Sequence, residues 1–180
     1  MDIAAVIISI LALLFTVFSY WWLYARKGKL HVSKPRGYRG IGSQTEPLKL
    51  QFPFTFYNDG PTPIIIENLR LIIGGQQGKP LYFNATLKNI GSDEGTAYAT
   101  QFAVAGREAR EIVCEFRRRP GELVFVASKY PMKLEALLDD KQTWEEICDF
   151  ALNVTAKDAS TINSQFLVYD NMTELLPLDT

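Results

Sequence analysis

Leu48-Lys49-Leu50-Gln51-Phe52-Pro53-Phe54-Thr55-Phe56-Tyr57-Asn58-Asp59-Gly60-Pro61 is the stretch that decides the fold. Leu48, Leu50, Phe52, Phe54 and Phe56 alternate with Lys49, Gln51, Pro53, Thr55 and Tyr57. A period of two puts successive side chains on opposite faces of an extended chain, so one face is apolar and the other wetter. Asn58-Asp59-Gly60-Pro61 then supplies turn chemistry: Gly60 is free to take positive φ and Pro61 fixes the next φ.

The same alternation spreads outward. Leu69, Leu71 and Ile73 share one phase within residues 63–74, and Gly74-Gly75-Gln76-Gln77-Gly78 reads as a loop into Leu81, Phe83, Ala85 and Leu87. Phe102 and Val104 lead to a turn at Gly106. Ile112, Cys114 and Phe116 alternate with Val113, Glu115 and Arg117 until Arg118-Arg119-Pro120-Gly121 breaks the run. Residues 123–127, 130–136, 148–156 and 165–170 are further strand candidates. Only residues 134–146 read as helical, with Thr143 and Glu146 at capping-box spacing. Arg107, Glu108, Arg110 and Glu111 read as exposed cross-strand charge pairs.

Ahead of the strands, residues 3–23 form an apolar run without a charge. As a helix it spans roughly 30 Å, the thickness of a bilayer's hydrocarbon. A cleaved signal peptide is the competitor. No basic residue precedes the run, and Tyr20-Trp21-Trp22-Leu23-Tyr24 follows where small residues would mark a cleavage site. Tyr20, Trp21, Trp22 and Tyr24 instead suit the membrane interface, where an apolar ring body and a polar edge are both satisfied. Ala5, Ser9, Ala12, Thr16 and Ser19 fall on one face of this helix, the pattern of a helix-packing face.

Arg26, Lys27, Lys29, Lys34, Arg36 and Arg39 follow the helix, and no Lys or Arg precedes it. Positively charged flanks stay on the cytoplasmic side, so the C-terminal domain is expected in the cytoplasm, with export as the alternative. Residues 40–180 hold 13 basic and 19 acidic residues, so a basic neck joins a net acidic domain to the membrane. Arg26, Lys27 and Lys29 belong to the expected membrane interface. The neck either binds anionic lipid or only enforces topology. Arg117, Arg118 and Arg119 are a further candidate lipid-facing basic turn.

The glycines of Pro35-Arg36-Gly37-Tyr38-Arg39-Gly40-Ile41-Gly42-Ser43 read as linker. No buried strand leads into them and no helix follows, so they lack what a phosphate-binding loop needs. The expected fold class is therefore mainly β, an N-terminal transmembrane helix followed by an antiparallel immunoglobulin-like β-sandwich. The expected divisions are a transmembrane helix at 1–25, a basic juxtamembrane linker at 26–46, a sandwich at 47–170 and a tail at 171–180.

Around Tyr57-Asn58-Asp59-Gly60-Pro61-Thr62-Pro63-Ile64 and Glu67-Asn68-Leu69-Arg70-Leu71 the chain resembles immunoglobulin-like domains of uncharacterised prokaryotic single-pass membrane proteins. That resemblance implies a fold and no activity. The Cys…Trp…Cys order of antibody domains is absent, because Trp144 lies beside Cys148.

Chemistry is argued by exclusion. The one histidine, His31, sits in the neck and reads as solvated; with two distant cysteines it cannot supply a catalytic triad, a copper site or a structural zinc site. Asp139, Asp140, Glu145, Glu146 and Asp149 lack the glycine turn of a calcium loop and read as a solvated acidic surface. Cys114 and Cys148 fall on apolar phases and read as buried thiols, or as a disulfide if the domain is exported. The Asn-X-Ser/Thr sequences at Asn84, Asn153 and Asn171 matter only in a secretory lumen.

No catalytic residue, cofactor or metal ligand is nominated. The expected function is a sandwich held at the bilayer surface as an interaction or scaffold module. Its expected partners are the bilayer and a second helix or copy bound through the transmembrane segment, with no nucleic acid. The alternative is an exported, anchored sandwich that carries or transfers a lipid.

Overall fold

The computed structural model describes residues 3–42, 47–74, 79–90, 95–119, 123–139, 141–164 and 167–170. Helix α1 (Ile3–Tyr20) passes into one π turn (Trp21–Ala25). Strands β1 (Leu30–Val32), β2 (Gly37–Ile41), β3 (Leu48–Asn58), β4 (Ile64–Ile73), β5 (Leu81–Leu87), β6 (Ala97–Tyr98), β7 (Phe102–Val104), β8 (Ala109–Arg118), β9 (Ser128–Leu138) and β10 (Glu145–Val154) follow. Helix α2 (Ala156–Ile162) and β11 (Leu167–Asp170) complete the order.

All the strand pairings are antiparallel, along the path β10-β9-β4-β5-β8-β3-β2-β11, with β1 added to β3, β6 to β5 and β7 to β4. Pairing of β4 with β5 is brief, Arg70 opposite Tyr82 and Leu71 opposite Leu81. The sheet folds over at that link into two layers and nearly closes on itself. The alternation read at residues 48–57 is realised as β3, whose Leu48, Leu50, Phe52, Phe54 and Phe56 are buried.

Aromatic rings join the layers. Phe150 of β10 meets Phe52 edge-on at 5.3 Å and Phe54 at 6.0 Å, while Phe56 meets Phe102 of β7 at 5.4 Å. Edge-to-face pairs of this kind add about 0.5–1.5 kcal/mol each beyond the area they bury. The remaining seam is spanned by α2, which contacts both β10 and β11. Its Ile162 is fully buried, and Gly42 N–H donates to the Ile162 carbonyl at 2.7 Å.

Four expectations are corrected. Residues 26–42, the described part of the expected linker at 26–46, belong to the sandwich: β1 pairs with the end of β3, β2 pairs with its start, and Tyr38 is buried. Gly40 serves packing, since a Cβ there would lie 2.8 Å from both Ile162 Cδ1 and Leu50 Cδ2. The described residues of 134–146 are not helical, because β9 runs to Leu138 and β10 starts at Glu145, with Thr143 between them.

The helix lies later, where Thr155 and Asp158 form a reciprocal capping box that ends the strand expected over 148–156. Residues 123–127 join no ladder. Leu123 and Phe125 are nonetheless buried, and the Asn163 amide pairs with Phe125 as a strand would, accepting from its N–H at 3.0 Å and donating to its carbonyl at 2.8 Å. The expected loop residues 75–78, the Pro120-Gly121 turn, residues 165–166 and the tail 171–180 lie outside the described residues.

Phe54 is fully buried against Phe56, Phe116 and Phe150. Phe54→Ala is expected to cost about 3–5 kcal/mol. Tyr82→Ala, at a position 60 % exposed, should stay within about 0.5 kcal/mol. Urea unfolding of the detergent-solubilised chain measures both.

Candidate functional site at the helix–sandwich junction

The Asn58-Asp59-Gly60 turn does more than reverse the chain; it grips the neck. Asn58 is fully buried, donating from Nδ2 to the Thr62 carbonyl at 2.7 Å and the Val104 carbonyl at 3.3 Å, while Oδ1 accepts Gly60 N–H at 3.0 Å. The turn so shaped lays Gly60 against Gly28. A Cβ on Gly28 would collide with Asn58 Oδ1 and the Gly60 backbone, and one on Gly60 would collide with Gly28 Cα. Only two glycines let the backbones pass this closely.

Asp59 continues the grip. Its Oδ1 accepts Lys29 N–H at 2.7 Å, and its own N–H donates to the Lys29 carbonyl at 3.2 Å. His31 Nε2 lies 3.4 Å from Asp59 Oδ2, and Arg26 Nη2 donates to the Asp59 carbonyl at 3.0 Å. The Lys29 N–H, followed by His31 and Arg26, holds the Asp59 carboxyl below its ordinary 3.8 against partial desolvation.

The helix end is bound from a second side. Arg26 N–H donates to the Trp21 carbonyl at 2.9 Å, closing the π turn, and the Arg26 guanidinium lies 4.7 Å from the Trp22 ring centroid. Arg107 Nη2 reaches the Trp22 and Leu23 carbonyls, each at 3.4 Å. These are last-turn carbonyls without helical partners, where a cation also complements the helix dipole. Arg107 (φ 58°) and Asp139 (φ 49°) are the non-glycine residues with left-handed φ among those described, and both lie at this end. A cleft of about 610 Å³ opens beside the junction, between the neck and the β9–β10 turn.

The residues nominated from sequence are distributed as follows. Tyr20, Trp21, Trp22 and Tyr24 are exposed around the end of α1; Arg26 belongs to the grip, and exposed Lys27 and Lys29 line the cleft. Ala5, Ser9, Ala12, Thr16 and Ser19 lie on α1, none of whose residues is buried by the sandwich. Ser9 and Thr16 donate to the Ala5 and Ala12 carbonyls of their own helix, both at 2.8 Å.

Arg117, Arg118 and Arg119 lie at the end of β8 far from the helix. The first two are half-buried at the end of β8, Arg117 paired with Glu115 at 2.5 Å, and only Arg119 is exposed. Register sets Arg118 opposite Leu48 and Ala109 opposite Tyr57, so the arginines lie about 30 Å along the strand from the junction.

Other expectations are refined. His31 contacts Asp59 and lies 6.2 Å from the Tyr57 ring, so it is part of the grip rather than simply solvated. Glu145 pairs with Lys141, Glu146 with Lys133 and Asp149 with Lys34; Asp140 lies outside the described residues. Cys114 and Cys148 are buried free thiols; burial pushes both up, Cys148 to about 11. Arg107 and Arg110 form no cross-strand ion pair among the described residues: the second lies 5.1 Å from the Phe102 ring centroid and donates to the Ala103 carbonyl at 2.9 Å. Asn171 lies outside the described residues.

Arg107 went unrecognised as a junction residue, because its partners are backbone carbonyls some 85 positions earlier in the chain. Turn chemistry at Asn58–Gly60 was the available signal, and it pointed to the turn without pointing to what the turn holds.

No family model matches the chain, and no curated protein does. Among solved structures it is similar to the crystal structure of a protein from Archaeoglobus fulgidus, at 9 % identity and a TM-score of 0.41, over 69 % of this chain and 98 % of that one.

Asn58→Ala removes the donor to the Thr62 and Val104 carbonyls and the acceptor of the Gly60 N–H, at about 1–3 kcal/mol for each buried group left unpaired. The grip should loosen. With spin labels at Leu14→Cys and Tyr82→Cys, the parent chain is expected to give one narrow distance distribution, and Asn58→Ala a broad one. The depressed Asp59 makes its full contribution above pH 3.8 and loses it only below that, as pH falls through the lowered value. The narrow distribution should therefore persist from neutrality to about pH 4 and broaden on further acidification.

Proposed function

We propose that the chain is a single-pass membrane protein whose α1 crosses the bilayer, and that it holds its sandwich in a fixed pose at the cytoplasmic surface as an interaction or scaffold module. The carrying observation is the grip of Asn58-Asp59-Gly60 on residues 26–31, which leaves no free tether between helix and sandwich. Helix and π turn together are long and apolar enough to span, over Ile3–Ala25. Six basic residues on the domain side support the cytoplasmic orientation. The resemblance to prokaryotic immunoglobulin-like membrane proteins belongs to the same reading.

The alternative, an exported sandwich that carries or transfers a lipid, needs an elongated apolar groove between the layers. Phe52, Phe54 and Phe150 fill that space with ring contacts, which favours a surface role for the domain.

Topology is tested with Tyr82→Cys and a membrane-impermeant thiol reagent. Buried Cys114 and Cys148, both pushed up, give little background. Labelling is expected only after lysis; labelling of intact cells would overturn the cytoplasmic orientation.

The helix is proposed to pack on a copy or a partner through Ala5, Ser9, Ala12, Thr16 and Ser19. Because Ser9 and Thr16 bond back to their own helix, the face contributes close backbone approach more than interhelical hydrogen bonds. Ser9→Leu with Ala12→Leu should weaken association in a membrane two-hybrid assay, whereas Ile8→Leu with Leu13→Ile should not. Equal effects of the two pairs would refute the face.

A further inference from the structure

The cleft beside the junction combines position, charge and shape in a way the anchoring role does not require. Ala25, the last residue of the π turn, forms part of its wall and directly follows Tyr24, the last of the Trp and Tyr residues suited to the interface. Three cations, Lys27, Lys29 and Lys141, face three carboxylates, Asp139, Glu145 and Glu146, above an apolar base that includes the buried Ile64 and Leu138. Its volume, about 610 Å³, lies within the range of small-molecule sites, roughly 300–1,000 Å³.

Internal pairing leaves a specific remainder. Lys141 donates to Glu145 at 2.6 Å, and Glu146 turns to Lys133 at 2.8 Å. Asp139 Oδ1 accepts Ile65 N–H at 2.9 Å. Lys27 and Lys29 have no ion pair among the described residues, and both project from the gripped stretch of backbone. The open cationic corner therefore sits on the neck, and the carboxylate corner sits across the cleft on the β9–β10 turn.

We propose that this cleft binds a phosphoethanolamine group, supplied as the headgroup of a phospholipid in the leaflet around the end of α1. The phosphate diester meets the Lys27 and Lys29 ammonium groups; the primary ammonium meets Asp139 Oδ2 and Glu145. A choline headgroup fits poorly, because it has no N–H to donate and the cleft lining holds no aromatic ring to receive a quaternary ammonium. A glycerol headgroup satisfies the lysines and leaves the carboxylates without a cation. A serine headgroup adds a carboxylate opposite three others.

This inference rests on the membrane-spanning reading of α1, and the test separates the two. The full chain is reconstituted in nanodiscs of phosphatidylcholine alone, or with added phosphatidylethanolamine or phosphatidylglycerol, and the Tm of the sandwich is measured. Binding to the folded state raises Tm, and phosphatidylethanolamine is expected to raise it by roughly 2–4 °C over the other two compositions. Lys27→Gln with Lys29→Gln should abolish the rise; Lys34→Gln, outside the cleft, should keep it.

Asp139→Asn tests the carboxylate corner without disturbing the turn, since Asn accepts the left-handed φ and the Ile65 N–H. It should shift the preference towards phosphatidylglycerol. Native mass spectrometry should find phosphatidylethanolamine retained by the parent chain and lost with the lysine pair.

Equal rises from phosphatidylethanolamine and phosphatidylglycerol, or no rise, would overturn the proposal. Free O-phosphoethanolamine added to phosphatidylcholine discs should give little; a full rise from it would keep the headgroup chemistry and overturn the lipid source. Release of the chain from membranes by alkaline carbonate would instead overturn the membrane-spanning reading. Retention of the chain without headgroup selectivity would overturn the headgroup site alone.

Discussion

The buried Asn58 amide is the constraint on which the junction depends. One side chain fixes three backbone groups, at Gly60, Thr62 and Val104, and so determines where the turn after β3 can lie. An amide suits the position because it offers two donors and an acceptor at once; a carboxylate or hydroxyl of similar size lacks one or the other. Once the turn is set, Gly60 meets Gly28, Asp59 meets Lys29, and the neck runs into β1 beside the end of β3. Failure of the amide would release both the turn and the chain it holds.

The sandwich makes that constraint rigid. β3 is paired along nearly its whole length with β8, and its other side is shared between β1 and β2. The turn that grips the neck is thus the end of a central strand whose Phe52, Phe54 and Phe56 are locked by rings from both layers. Strain concentrates at the same end, in the left-handed Arg107 and Asp139. Such conformations persist where surrounding structure over-determines them. Here Arg107 N–H donates to the Gly60 carbonyl at 2.8 Å, and Asp139 exchanges hydrogen bonds with Ile65 in both directions.

Much of the fold was legible because burial on one face of a strand leaves a period-two trace, as at Leu48–Phe56 and Leu81–Leu87. The junction was not, since glycine carries two opposite meanings. Gly28, Gly37, Gly40 and Gly42 look like a flexible tether, yet Gly28 and Gly40 are where another backbone or side chain presses closest. Alternation also hid α2: the phase of Cys148, Phe150, Leu152 and Val154 runs straight up to Thr155, whose capping box with Asp158 is a local signal of equal standing. The placement of Arg117, Arg118 and Arg119 was hidden for a related reason. Adjacent charges in sequence are a cluster on a loop, but on a strand they alternate between faces, and the register of β8 carries them away from the junction.

The distinction between linker and grip sets what the domain can reach. A flexible linker of 21 residues, the length of 26–46, would have an r.m.s. span of about 25 Å. Only residues 26–29 separate the π turn from β1, and fully extended they reach at most about 14 Å. Both ends of that short span, Arg26 and Lys29, are hydrogen-bonded to the sandwich. A tethered domain samples many orientations and presents any one surface only a fraction of the time. A gripped domain holds one surface in one direction continuously, so contacts made there forgo most of the ordering cost that a tethered domain meets on binding. On the proposed membrane-spanning reading of α1, even weak headgroup contacts at Lys27 and Lys29 would be effectively intramolecular with the anchor, and the effective concentration of lipid at the cleft would be high.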